Sequence, residues 1–224
     1  MTVTFAEELK QDSIKTWQEI LDHRFIKELS EDTLPMNKFV YYLKQDHYFL
    51  EVFSKFLHSA KLKTTNTKMK KWLEILSFNT INFEMKMQRD LLYSLGVTSP
   101  SQLPIDLAGI IPSKTTQDYI SFLIRVSSVG KFSEIVSVMA PCPWTYLEIS
   151  QKLSKDNIKN KVCKSWVQFY SSDESFKQVV EIQQILNLLG EEENQQYRQK
   201  MINHFVEACN YELHFWEMAY NLGE

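Results

Sequence analysis

The chain has 224 residues, 44% hydrophobic and 24% charged, with a formal net charge of −3. This is enough apolar material for one sizeable core, and the charge leaves neither the basic footprint of a nucleic-acid binder nor a polybasic face for anionic lipid. Glycine and proline together number eleven, well below the usual ~12% share, which argues against a turn-rich β-sandwich or barrel and leaves no glycine-rich phosphate loop.

The N-terminal stretch MTVTFAEELKQD carries acids and no apolar run, so it does not resemble a signal peptide. Thr4 and Glu7 have capping-box spacing ahead of a helix expected to reach about Leu29. Pro35 fits the inside of the next helix start. That helix carries Phe39, Leu43, Asp46, Leu50, Phe53 and Leu57 on one face. A third helix is predicted from about Lys68 to Leu95, stopped by Gly96 in a left-handed cap. Residues 97–113 hold three prolines and read as the one long connection. Helical spacing resumes at Thr115, passes Gly130 and meets Pro141-Cys142-Pro143. Further helices are expected over about 144–153, 156–169 and 173–189, with Gly190 as a stop, and a last one from about 191 to Tyr220. No segment alternates with period two, and no apolar run approaches the ~20 residues of a membrane span. The expected fold is all-α: one domain over 1–224, a bundle of about eight helices packed by their apolar faces.

In such a bundle the informative residues are polar ones on apolar stripes. Asp46 interrupts one stripe, with Phe49 a turn on. Glu212 interrupts another, among Phe205, Ala208, Cys209, Phe215, Trp216 and Ala219. Each is either half of an internal ion pair or a working carboxylate. Cys142 lies between two prolines. If Pro143 opens a new helix, the thiol sits near its cap, where the helix N-terminus lowers a thiol pKa. Tyr146 is on the same face. Cys163 and Cys209 lack such a setting and read as core. Three distant cysteines form neither a disulfide framework nor a zinc site, which fits a reducing cytoplasm. None of the five histidines follows a glutamate at the Glu-x-x-His spacing of carboxylate-bridged di-iron bundles.

Four stretches, FVYYLKQDHYFLEVF at 39–53, MAPCPWTYLEIS at 139–150, WVQFYSSDESF at 166–176 and YELHFWEMAY at 211–220, resemble the TenA family, the thiaminase II group of aminopyrimidine hydrolases, in order and with similar spacing over nearly the whole chain. The resemblance implies a haem-oxygenase-like fold with a pocket in the middle of the bundle, usually as a homotetramer, and no metal or organic cofactor. It implies hydrolysis of 4-amino-5-aminomethyl-2-methylpyrimidine, and in many members of thiamin as well, to the 5-hydroxymethyl product in thiamin salvage. By the same resemblance, Cys142 matches the nucleophile and Glu212 the acid/base. Asp46 matches the acid gripping the pyrimidine's amino group and ring nitrogen. Tyr119 falls where a tyrosine lies near the thiol, Tyr146 and Tyr170 match pocket tyrosines, and Phe215 matches a pocket aromatic. Phe49 departs from the pattern, since the family often has tyrosine there. It keeps a flat ring and loses a hydroxyl.

The chemistry fits these residues. An electron-poor pyrimidine accepts a thiolate, and the adduct expels the group on its exocyclic methylene. One carboxylate can protonate the departing amine and then activate water. Burial should raise Glu212 toward neutrality, while Asp46, on a protonated ring edge, should stay ionised. The competing reading is a non-catalytic, regulatory binder of a thiamin-related pyrimidine on the same fold; a binder could dispense with the thiol.

Overall fold

The structure is a computed structural model that describes residues 3–97 and 110–223. Among these residues there are only helices and their connections. The helices are α1 (Phe5–Asp12), α2 (Ile14–Leu21), α3 (Arg24–Ser30), α4 (Met36–Ala60), α5 (Thr67–Asn79), α6 (Met85–Ser94), α7 (Lys114–Val129), α8 (Phe132–Met139), α9 (Pro141–Leu153), α10 (Lys161–Tyr170), α11 (Asp173–Glu192) and α12 (Gln195–Tyr220). A π-helical turn, Thr80–Glu84, joins α5 to α6, and α8 runs into α9 through Ala140, itself in helical conformation. Counted as continuous or kinked rods, α1–α3, α4, α5–α6, α7, α8–α9, α10, α11 and α12 make eight, the number expected.

The capping box forms as expected: Thr4 Oγ1 accepts from Glu7 N–H at 3.3 Å, and Glu7 Oε2 accepts from Thr4 N–H at 2.7 Å. The predicted first helix is nonetheless three segments. It breaks at Ser13 and again at His23, whose Nδ1 accepts from Phe25 N–H at 3.1 Å and so starts α3. Pro35 is the cap before α4 rather than its first residue. Gly96 takes φ +71° after α6, as predicted. The stretch expected to run helical past Gly130 breaks there, with Gly130 extended at ψ 163°. α10 starts only at Lys161 because Asn160 Oδ1 accepts from the N–H groups of Val162 and Cys163. Gly190 does not stop α11, which continues to Glu192. Its role is close approach, since a Cβ there would overlap the Phe5 ring of α1. Of the long 97–113 connection, residues 98–109 lie outside the described residues.

The two longest helices, α4 and α12, pack against each other and share α7 as a neighbour, with α8 and α9 also against α12. Both predicted stripes are buried along their length, which brings Asp46 and Glu212 inward. Between them lies an aromatic wall: Tyr42 stacks on Trp216 at 5.1 Å, and Trp166 and Tyr146 each lie 5.0 Å from Tyr170. α9 is anchored from its outer side. Glu148 accepts from Lys10 Nζ (2.6 Å), Trp17 Nε1 (2.9 Å) and Trp144 Nε1 (2.8 Å), tying α9 to α1 and α2. A carboxylate with three donors is a well-satisfied group, and it fixes the helix that carries Cys142. No helix is long and apolar enough to cross a membrane among the described residues.

Candidate active site

α9 begins earlier than the sequence suggested. Pro141 is its first residue, and Cys142 is the second. Two prolines in a first turn remove only N–H groups that a helix leaves unpaired anyway. They also remove the donors that would favour a thiolate. Because α8 leads directly into this turn and two of its N–H groups are missing, the expected lowering of the thiol pKa does not arise. Burial, with Glu212, Asp46 and Glu84 nearby, pushes the Cys142 thiol well above its usual range instead. Cys142 therefore rests as a thiol, and it would need a base to act as a nucleophile.

A candidate base is adjacent. Glu212 on α12 is buried and close enough to the Cys142 thiol to influence its proton; Tyr119 Oη–H on α7 donates to its Oε1 at 2.7 Å. Burial outweighs the Tyr119 hydrogen bond and the neighbouring thiol and raises Glu212 to about 7, as its surroundings in the sequence predicted. A carboxyl there can take or give a proton near neutral pH.

Asp46 on α4 is buried as well. Its Oδ2 accepts from Tyr42 Oη–H at 3.1 Å and from Gln88 Nε2 of α6. Tyr42 Oη in turn accepts from Trp166 Nε1 at 3.2 Å, and Gln88 Oε1 lies 3.0 Å from His47 Nδ1. Burial, with the carboxyls of Glu84 and Glu212 nearby, pushes Asp46 well above the usual carboxylate range. The ionised Asp46 expected from sequence therefore requires a cationic partner.

Cys142, Tyr146 and Tyr170 line a cavity of about 530 Å³ between α4, the π turn, α9, α10 and α11, within the ~300–1,000 Å³ range of small-molecule sites. Asp46, Phe49, Tyr119, Glu212 and Phe215 are not on its lining. They form the buried surround, reaching the cavity through the proximity of Glu212 to Cys142 and the packing of Tyr42 on Tyr146. Phe49 packs on Tyr119 (4.8 Å) and Phe215 (6.0 Å), so its ring helps hold the tyrosine that bonds Glu212. Cys163 and Cys209 are buried free thiols, as predicted.

Sequence reasoning missed Tyr42, Glu84 and Gln88. Tyr42 is one turn before Asp46 and looked like ordinary core. Glu84 and Gln88 continue the row Leu76, Thr80, Glu84, Gln88, which steps by four and has only Leu76 as an apolar member, so the apolar-stripe test applied to α4 and α12 passes over them. Four-residue steps drift around a 3.6-residue helix, and the π turn at Thr80–Glu84 absorbs that drift. Glu84 ends that turn. Its Oε1 accepts from Tyr170 Oη–H at 2.8 Å, and burial raises it to about 7.

A helical bundle with a thiol and three carboxyls gathered at one cavity defines a class: a small-molecule protein equipped for nucleophilic and acid–base chemistry. Residues 11–222 match the model of the TENA/THI-4/PQQC family, and the chain belongs to that family. An aminopyrimidine aminohydrolase of Bacillus subtilis is 28% identical over 96% of this chain and 89% of its own length. A TenA homologue from P. horikoshii OT3 superposes with a TM-score of 0.85 at 25% identity, covering 98% of this chain and 99% of that one. A Shewanella denitrificans domain described as having a heme oxygenase-like fold gives a TM-score of 0.75 at 13% identity, over 96% and 91%. At that identity it shows the fold alone, and the fold is the one expected.

Proposed function

We propose that this chain is an aminopyrimidine aminohydrolase of thiamin salvage, acting on 4-amino-5-aminomethyl-2-methylpyrimidine through a Cys142 adduct. The observation that carries the reading is the Cys142 thiol on the cavity wall with the buried Glu212, raised to about 7, close behind it. Relatives that bear the hydrolase name, at 24–28% identity over nearly the whole chain, support it.

Glu212 takes the thiol proton, and the sulfur adds to the electron-poor ring. Asp46, positioned by Tyr42 and Gln88, grips the amino group and ring nitrogen. The carbon–nitrogen bond to the side-chain amine breaks as Glu212 returns its proton, releasing ammonia. Water adds to the exocyclic methylene and gives its proton to Glu212. The carbon–sulfur bond then breaks, regenerating the thiol and leaving the hydroxymethylpyrimidine. Tyr119 holds Glu212, with Phe49 and Phe215 packed around it, while Tyr146 and Tyr170 present flat walls to the ring.

The test is incubation with the aminomethylpyrimidine and with thiamin, comparing kcat/KM. Release of ammonia, abolished in Cys142→Ser and retained in Cys163→Ser and Cys209→Ser, is the expected result. Serine is a far poorer nucleophile in the same place. Pyrimidine binding with no turnover would instead favour the regulatory binder. A second comparison separates the carboxyls: Asp46→Asn should weaken binding more than Glu212→Gln, by the ~1–3 kcal/mol of poorly paired polar groups, while Glu212→Gln should lower kcat more. The three free cysteines support a reducing compartment, the cytoplasm. A homotetramer is supported by an apolar face on α5 and the π turn, where Ile75, Phe78, Ile81 and Phe83 are exposed.

A further inference from the structure

Glu84 has no part in the steps above, yet it faces the same cavity as the thiol. Tyr170 holds its Oε1 at 2.8 Å, and its Oε2 has no hydrogen-bond partner among the described residues. The side chain is placed by the π turn, whose one extra residue rotates the downstream helix by about 100° relative to a continuous α-helix. The rest of the lining is as informative. Glu174, exposed in the first turn of α11, is its other charged residue, and no lysine, arginine or histidine lines the cavity among the described residues. From mouth to thiol, every charge that a ligand meets among the described residues is a carboxylate.

Building on the aminohydrolase reading, we propose that Glu84 is the charge-selecting residue of the site. It pairs with a cationic leaving group, the substrate's ammonium or a thiazolium, and makes the cavity reject phosphorylated substrates; as the ring adduct forms, the ammonium passes one proton to Glu84, the amine leaves with the proton that Glu212 returns, and Glu84 gives its proton back to the departing ammonia. A free carboxylate oxygen beside the thiol gives an ammonium a charge-assisted hydrogen bond and gives a phosphate monoester only like charge. The raised affinity of Glu84 for its proton has burial as its first cause. An arriving cation offsets that burial, so the carboxylate forms where the cation sits. The division of labour is then complete: Asp46 holds the ring, Glu212 moves protons, and Glu84 recognises the departing group.

Two measurements test this. In Glu84→Gln, KM for the aminomethylpyrimidine should rise about tenfold or more, the loss of one charge-assisted pair. The inhibition constant of the neutral hydroxymethyl product should stay within about twofold, since it shares the ring and lacks the charge. A merely structural role would shift both constants together, and that result, or no shift in either, overturns the proposal. Independently of any variant, wild-type protein should bind thiamin at least about a hundredfold more tightly than thiamin monophosphate. Equal binding overturns it. Wild-type turnover with no discrimination at Glu84 sinks this assignment alone. Wild-type protein that neither binds nor hydrolyses the pyrimidines sinks the aminohydrolase reading with it.

Discussion

Glu212 shows how a single residue couples fold stability to chemistry. It holds its proton up to about pH 7 in the folded chain but only to about 4.5 when exposed. Between those values the native state binds the extra proton, so stability is greatest at the acid end and falls as pH rises toward neutrality. Full ionisation of the buried acid costs at most about 3 kcal/mol, and Glu84, also raised to about 7, acts in the same direction. Thermal melts should show the wild-type midpoint falling between pH 5 and pH 8, with a shallower fall in Glu212→Gln. Identical slopes would show that Glu212 does not ionise in that window. At this scale much was legible from sequence, because a charge on an apolar stripe announces itself: Asp46 and Glu212 are both buried and both near the thiol. What stayed hidden was the state of Cys142. A proline-flanked thiol at a helix start reads as activated, and only the packing shows α8 feeding into α9 and three carboxyls nearby. Local sequence carries the helix end; it does not carry the field of residues far along the chain.

Among the elements, periodicity located nearly every helix, and errors fell where a residue's local meaning was overridden by a neighbour. Helical spacing passes through Gly130, which ends α7, while Gly190 has the sequence position of a stop and lies inside α11. The difference is tertiary: nothing obliges the chain to stay helical at Gly130, whereas at Gly190 α11 presses on Phe5. Helix propensity alone would favour Gly190→Ala by about 1 kcal/mol. The overlap with the Phe5 ring reverses the sign, since overpacking a tight contact costs about 1–3 kcal/mol. Phe5 is also covered by the Arg198 guanidinium, 4.3 Å from its ring centroid, which limits its freedom to move aside. Urea unfolding should therefore give a lower midpoint for Gly190→Ala than for wild type. A higher midpoint would mean that α1 shifts freely on α11. The π turn is the reverse case: its row of four-residue steps was present in the sequence, but a uniform 3.6-residue ruler passes over it.

For the whole molecule, the four exposed residues on α5 and the π turn are the feature the bundle itself does not explain. Ile75, Phe78, Ile81 and Phe83 are 45–57% exposed, and Phe78 and Phe83 meet edge to face at 6.0 Å. Scattered apolar residues on a surface need no account, but a grouped set of this kind marks an interaction face. With the homotetramer proposed above, the occupant would be another copy of this chain. Helix α5 and the π turn form one wall of the cavity, and Phe83 lies on its lining, so subunits meeting on this face would also shape the mouth through which substrate enters. Assembly and activity should then be linked. Light scattering on the wild-type protein should give a mass four times that of the chain. Introducing charge with Phe78→Lys and Ile81→Lys should reduce that mass, because a desolvated ammonium at an apolar contact is costly. The same variant, neither of whose changes touches Cys142, Glu212 or Asp46, should raise KM more than it lowers kcat, as the mouth loses its support. A wild-type monomer at micromolar concentration would remove the tetramer. A variant that stays tetrameric would move the interface to another face of the bundle and leave these four residues as a docking surface for something other than this chain.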